Sequence, residues 1–375
     1  MLLQGKKVAI IGAGPVGLTL ANLLQQNGVE VAVYERDADA QARIWGGTLD
    51  LELTTGQAAL QQAGLLAHYF AQAKPMGRAL ADEQGHVFFS TQPNAGSPEI
   101  NRNELRKILL TSLPSHTVVW DSKLTSLEAR NGKWVLRFEK QADAVADVVI
   151  GANGGMSKVR HYVTEATPEG TGTFIIQGEV LQPAHTCPEI YRLCGGTANI
   201  LMTAGQGITL VINPDNYGAM TYGVTFKQPA AWQHGPDLDF RDTASVSAFL
   251  SAMFAQWSEA YQQLFCATSL FVGLPSRLLS LGEVWKPVRP LPITLVGDAA
   301  HLMPPFAGKG VNTGLVDAML LADNLTTGNF ATIEAAISDY EQRMFVYAQA
   351  AQRETSDNEQ ALTSPSFSFK KRFTS

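Results

Sequence analysis

The sequence has few cysteines and no arrangement of them that would build a scaffold. Its 375 residues contain 3, at Cys187, Cys194 and Cys266. None stand in C-x-x-C spacing and all three cannot pair, so a disulfide framework is excluded and a reduced, cytoplasmic setting is expected. Histidine is also sparse: the 7 present form no H-E-x-x-H or similar cluster, and no metal site is expected. Positive charge is not in excess. The 28 Lys plus Arg are outnumbered by 34 Asp plus Glu, which gives no electrostatic reason for a nucleic-acid partner. No apolar run reaches the roughly 18 residues that a membrane-spanning helix needs, so no membrane partner is expected. Internal repeats and low-complexity linkers are missing too. The apolar N-terminal run is not read as a signal peptide, because a glycine fingerprint interrupts it.

What is present starts at that fingerprint. Hydrophobic residues make up 45%, enough over this length for one large domain or two smaller ones. The stretch Val8-Ala9-Ile10-Ile11 reads as a buried strand. Gly12-Ala13-Gly14-Pro15-Val16-Gly17 then matches G-x-G-x-x-G, a helical run follows to Asn27-Gly28, and Val29 to Tyr34 reads as a second buried strand. In such a turn Gly12 permits the sharp bend, Gly14 lets a pyrophosphate approach the backbone, and Gly17 lets helix and strand pack closely. The helix N-terminus offers free N–H groups and partial positive charge to phosphates. Glu35 ends the second strand where it can accept hydrogen bonds from a ribose hydroxyl. A glycine turn alone could equally pack an ordinary βαβ unit. The flanking strand, helix and acidic residue together point to a dinucleotide.

Further along, a helix is expected from Thr55 to Ala63 and short antiparallel strands near His86 to Phe89. Asn101 or Asn103 caps a helix whose apolar face is Leu105, Leu109 and Leu110. Arg102 and Arg106 share its first-turn face, as a binding pair or a solvated one. Asn131-Gly132 signals a hairpin between Leu124–Ala129 and Trp134–Glu139. Ala146 to Gly151 is another buried strand, running into a second glycine turn, Ala152 to Arg160, before a helix. From Gly172 to Phe226 several short strands follow one another, which suggests a separate antiparallel sheet. Helices are expected at Thr243–Gln256 and Ser258–Cys266. Leu291 to Asp298 returns to buried-strand character, and a helix from about Val311 to Leu325 follows a glycine-rich loop. A final long helix from about Ala331 to Leu362 carries an apolar stripe of Ile333, Ile337, Tyr340, Met344 and Tyr347. That stripe packs a core, and a helix of this length can also brace two domains.

Three separated motifs converge: Gly12 to Gly17 with Glu35, Asp147 to Arg160, and Gly297-Asp298-Ala299-Ala300-His301-Leu302-Met303-Pro304-Pro305. Together they resemble the group A flavin-dependent aromatic hydroxylases, which share the para-hydroxybenzoate hydroxylase fold. The likeness is closer to the TetX-type tetracycline-inactivating monooxygenases. It is carried by Tyr34 to Asp37, Gly46 to Leu51, Asn101-Arg102-Asn103, Ala152 to Arg160 and Met303 to Gly308.

The resemblance implies an α/β fold: a Rossmann-type FAD-binding domain, a second domain on an antiparallel sheet, and a long C-terminal helix bridging both. The expected division is 1–60, 101–165 and 273–327 for the FAD-binding domain, 61–100 and 166–272 for the substrate-binding domain, and 328–375 for the bridging helix and tail. Glu35 would hold the FAD ribose; Arg36, Asp50 and Arg106 would contact the cofactor. Asp298 would lie by the ribityl and phosphate region. The helix opening at Gly310, Val311 and Asn312 would point at the flavin pyrimidine edge, where its dipole favours negative charge on a reduced flavin. Gln177, Gly223, Pro305, Phe306, Gly308 and Asn358 match substrate-contacting positions. Ile200 and Thr221 align with a family arginine and histidine. His301 sits inside a cofactor-loop motif and is read as structural, and no side chain is assigned as general acid or base. The implied enzyme is a monomer that uses FAD, NADPH as transient reductant, and O2. It would hydroxylate a polycyclic enol or phenol, a tetracycline first, through a flavin C4a-hydroperoxide. Another phenolic substrate, or a non-catalytic flavoprotein that sequesters an aromatic ligand, are the alternatives.

Overall fold

The computed structural model describes residues 2–42, 45–195, 199–232, 238–282 and 285–373. The loop expected over 37–47 contains Arg43 and Ile44, which lie outside the described residues.

Near-continuous apolar runs form strands buried on both faces, and here they build a parallel sheet. Its order is Ile293–Leu295, Val148–Gly151, Lys7–Ile11, Glu30–Tyr34 and Val118–Val119, with every neighbouring pair parallel. Lys7–Ile11 is central, and the chain leaves it toward Glu30–Tyr34 on one side while Val148–Gly151 closes the other. That is a topological switch point, where open α/β sheets place their ligands beyond the carboxyl ends of the strands. The helix Pro15–Gln26 starts there, with proline in its first turn.

The second sheet has seven strands in the order Leu270–Leu278, Glu169–Leu181, Ala219–Lys227, Ile208–Asn216, Asn199–Gly205, Gly77–Ala81 and Val87–Ser90. All its pairs are antiparallel except Asn199–Gly205 against Gly77–Ala81, which run parallel. The Asn131-Gly132 hairpin forms as expected, both residues taking positive φ between Leu124–Arg130 and Lys133–Phe138. Asn101 caps Arg102–Thr111 by accepting from the N–H groups of Asn103 and Glu104.

Two large hydrophobic cores result, one around the parallel sheet and one at the seven-stranded sheet, with a small third cluster of Leu80, Ala204 and Phe369. The helix Ile333–Leu362 belongs to both halves. Ala336, Ile337, Tyr340, Met344 and Ala348 pack into the first core. Its last turns bond the second sheet: Ser276 Oγ donates to Glu359 Oε1 at 3.0 Å and Thr209 Oγ1 to Leu362 O at 2.9 Å. Residues at Leu65 and Tyr69 pack in the first core, and Leu270–Leu278 lies wholly in the second sheet. The packing thus groups 61–73 with the parallel sheet and 273–278 with the antiparallel one.

One expected element is corrected. After Gly151 the chain makes only a 3-10 turn, Val159–Tyr162, where a helix was expected. Val159, Val163 and Thr164 are β-branched and propagate a helix poorly. Arg160 is also pulled down, its Nε donating to Ala299 O at 2.9 Å and Nη2 to Asp298 O at 3.2 Å.

Candidate active site

A cavity of about 570 Å³ runs between the parallel sheet and the seven-stranded sheet. Its floor is the glycine turn. Gly12 has φ +111°, and a Cβ there would lie 2.5 Å from Ala152 O. A Cβ on Gly17 would lie 2.2 Å from Gly12 O, so only glycine lets helix and turn meet. Gly14 is different: nothing lies within 4 Å of where its Cβ would be, and it lines the cavity. Gly12 and Gly17 serve packing, and Gly14 leaves open space for a ligand at a helix N-terminus.

Glu35 is buried behind that turn. Its Oε2 accepts from Ala13 N at 2.6 Å and its Oε1 from Asp37 N at 3.0 Å. Arg36 is exposed. Arg106 is buried, ion-paired to Asp37 at 2.9 Å, stacked over Trp120, and donates to Ala42 O; its Nε has no hydrogen-bond partner among the described residues. Arg102, which the sequence marked only as its neighbour, points into the cavity and donates from Nε to Gly47 O at 2.9 Å.

The helix Lys309–Thr326 brings a second N-terminus to the cavity through Gly310 and Val311. Two carboxylates flank it. A Cβ on Gly310 would lie 3.8 Å from Asp298 Oδ1, and one on Gly308 would lie 3.7 Å from Asp50 Oδ1. Asp298 opens toward the cavity but is otherwise enclosed by protein. That enclosure pushes its carboxyl above the usual range, against the pull of His301, Arg102 and Arg160. Asn312 does not reach the cavity. Its side chain is saturated, accepting from Glu52 N at 2.9 Å and Gly56 N at 3.2 Å and donating to Asp50 O at 3.0 Å. It fixes the strand that carries Asp50.

His301 lies beneath this turn, fully buried, with Nε2 2.7 Å from Asp317 Oδ2. The same oxygen accepts from Gly297 N at 2.7 Å, and Oδ1 accepts from Tyr347 Oη at 2.5 Å. Burial lowers the imidazole pKa, but Asp317 outweighs it and holds it above the usual value.

The opposite wall is one face of the seven-stranded sheet. Gln177, Ile200, Thr221 and Gly223 all project from it into the cavity, with Pro305, Phe306 and Gly308 beside them. Register explains the set: Gln177 pairs with Gly223, and Glu179 with Thr221, which pairs with Asn213. Asn358 is elsewhere; its Nδ2 donates to Phe306 O at 3.1 Å. It joins Gln352, which donates to Leu279 O and Leu302 O, and Thr355, which donates to Pro304 O and accepts from Phe306 N. Three residues at three-residue spacing on one helix face thereby hold the 302–306 wall. Missed from the sequence were Arg78, Glu99 and Asn213. Only the strand pairing, not a motif, brings them to the cavity.

Comparison with known proteins agrees with this geometry. A family model described as "FAD binding domain" matches residues 6–353, and the chain belongs to that family. A relative named Monooxygenase penA, from Penicillium thymicola, is 28% identical over 368 residues, covering 85% of this chain and 84% of that one. Among solved structures, Klebsiella pneumoniae HpxO complexed with FAD and uric acid superposes with TM-score 0.78 at 20% identity, over 97% of this chain and 90% of that one. The tetracycline destructase Tet(55) superposes with TM-score 0.76 at 20% identity, over 96% and 91%. The protein is an FAD-dependent monooxygenase. Its residues fit the cofactor: Gly14 leaves an open approach, and two helix N-termini face one cavity. No helix among the described residues is long and apolar enough to cross a membrane.

Proposed function

We propose that this enzyme is an NADPH-consuming hydroxylase of a polycyclic enol or phenol, with a tetracycline the first substrate to test. The observation that carries the reading is the continuity of one cavity, lined at one end by Gly14, Asp298, Gly310 and Val311 and at the other by Gln177, Thr221, Gly223 and Phe306. Bound FAD supplies the chemistry: it accepts reducing equivalents from NADPH and delivers one atom of O2 to an electron-rich carbon.

The chain's own residues do the rest. Glu35 takes the ribose, Arg106 and Arg36 the adenosine and phosphate side, and Asp50 and Asp298 the flanks of the flavin. Gly310 and Val311 present helix N–H groups where negative charge develops, and Asn312 holds that helix against the Asp50 strand. Gln177 orients the substrate through its amide. Pro305, Phe306 and Gly308 form a wall that excludes water, and Asn358 supports it. In this reading the discontinuous segments 1–60, 101–165 and 273–327 bind FAD, 61–100 and 166–272 bind substrate, and 328–375 braces them, although 61–73 pack on the first core and 273–278 belong to the second sheet.

A second substrate is favoured by Ile200 and Thr221. Isoleucine offers no donor and threonine one short hydroxyl, which suits a more apolar phenolic compound than a tetracycline. The test is NADPH oxidation by the FAD-loaded enzyme against a panel of tetracyclines and phenols, with product mass. Stimulated oxidation with a product one oxygen heavier is expected. A product from phenols but not tetracyclines would select the second substrate, and no stimulation by any compound would leave only a ligand-binding flavoprotein.

A further inference from the structure

The polar end of the sheet wall carries a charge that the proposed reaction has not used. Arg78 lies on Gly77–Ala81, in register with Ile200 on the neighbouring strand, and both line the cavity. In-register residues share a face, so the guanidinium stands beside a side chain that offers no hydrogen bond. Arg78 Nη2 is 2.8 Å from Glu99 Oε1, and its Nη1 donates to Gly77 O at 3.3 Å. A guanidinium has five N–H donors. Three are left without a protein partner among the described residues, on a side chain 38% exposed.

Glu99 cannot play the matching part. Its side chain is 5% exposed, one oxygen is held by Arg78, and the other accepts from Thr48 and from Asn213 Nδ2. Asn213 also donates to Thr48 Oγ1 at 2.6 Å. The carboxylate is therefore closed off as an acceptor, while the guanidinium it braces stays open toward the cavity. The other guanidinium lining the cavity, Arg102, stands at the cofactor end, where it feels the charge of Asp298 and donates from Nε to Gly47 O.

We propose that Arg78, braced by Glu99, is the specificity-determining residue of the substrate wall and reads an acidic oxygen, a carboxylate or an ionised enol or phenol, on the substrate. The proposal rests on the reading that this end of the cavity takes the substrate. The fork of N–H groups suits a planar oxyanion, and bracing by Glu99 fixes it before binding. Thr221 and Asn213, one strand apart in register, continue the polar row along which the same edge of a fused-ring ligand would lie.

The test is a binding measurement that needs neither NADPH nor O2, so its failure and the failure of the hydroxylase reading are separate results. FAD-loaded protein is titrated by calorimetry with two acid and neutral pairs: salicylate against methyl salicylate, and picrate against methyl picrate. The first reports a carboxylate and the second a phenolate. Wild type is expected to prefer at least one acid by about 10- to 150-fold, the value of one hydrogen bond to a charged group. Arg78→Gln should abolish the preference while leaving affinity for the neutral partner within about twofold, and Arg78→Lys should keep part of it. FAD content and melting temperature of each variant confirm an intact fold. If Arg78→Gln does not fold, the wild-type ratios and Arg78→Lys still decide. No preference in wild type for either acid, no binding of any probe, or a preference that survives Arg78→Gln would overturn the proposal.

Discussion

Glu35 has two jobs at one carboxylate. Its oxygens hold the N–H groups of Ala13 and Asp37, and in the proposed site they also meet a ribose. Removing it should therefore harm the protein with and without cofactor. Glu35→Ala is expected to weaken FAD retention by about 1.5–3 kcal/mol, roughly 10- to 150-fold, and to lower the melting temperature of the FAD-free protein because a buried N–H loses its acceptor. A variant that loses FAD with unchanged apo stability would restrict Glu35 to the cofactor. His301 behaves differently. Its pKa is raised in the folded protein by Asp317, so the pair stabilises fully below the unfolded value of about 6.5 and loses that contribution as pH rises through the higher folded value. The melting-temperature gap between wild type and His301→Gln should therefore narrow from mildly acid to alkaline pH. A gap that does not change with pH would show that the imidazole does not titrate there.

At the scale of elements, the helix Ile333–Leu362 meets the 302–306 wall through Gln352, Thr355 and Asn358. Thr355→Val keeps the shape and deletes both of that residue's bonds to the wall. We expect a loss of about 1–3 kcal/mol in stability. We also expect more NADPH oxidised per product formed, because a loosened wall admits water. Chemical denaturation and the ratio of product to NADPH consumed check this; unchanged values in both would make the contact dispensable. Element reading from sequence did well where the signal was local. Asn131-Gly132 demands positive φ at both residues, and Asn101 has its two N–H partners within three residues. It did poorly where the cause was distant. Arg78 and Glu99 lie on strands of five and two residues, and nothing nearby in sequence says that Gly77–Ala81 will pair in parallel with Asn199–Gly205. Helices at Pro183–Thr186 and Pro188–Leu193 run for only 4 and 6 residues, too short to show an apolar period.

For the whole molecule, the described residues hold one parallel sheet with one G-x-G-x-x-G turn. The turn after Gly151 leads into a 3-10 segment rather than a helix that could face a second pyrophosphate. NADPH is accordingly expected to visit the cleft between the two sheets and leave. FAD should raise the melting temperature strongly, while adding NADP+ to FAD-loaded protein should raise it little. A complex with the nicotinamide nucleotide in a preformed domain of its own would contradict this.

The late position of the bracing helix in the chain bears on biosynthesis. Chains emerge from the ribosome N-terminal end first, and domains fold as they appear. Here the central strand Lys7–Ile11 is made well before the strand Ile293–Leu295 that completes its sheet, and both precede the Thr355 and Asn358 that fasten the Pro304–Phe306 wall. A growing polypeptide can form the glycine turn long before it can fasten the Pro304–Phe306 wall. A chain interrupted between these two points would carry the nucleotide fingerprint and an unfastened 304–306 wall.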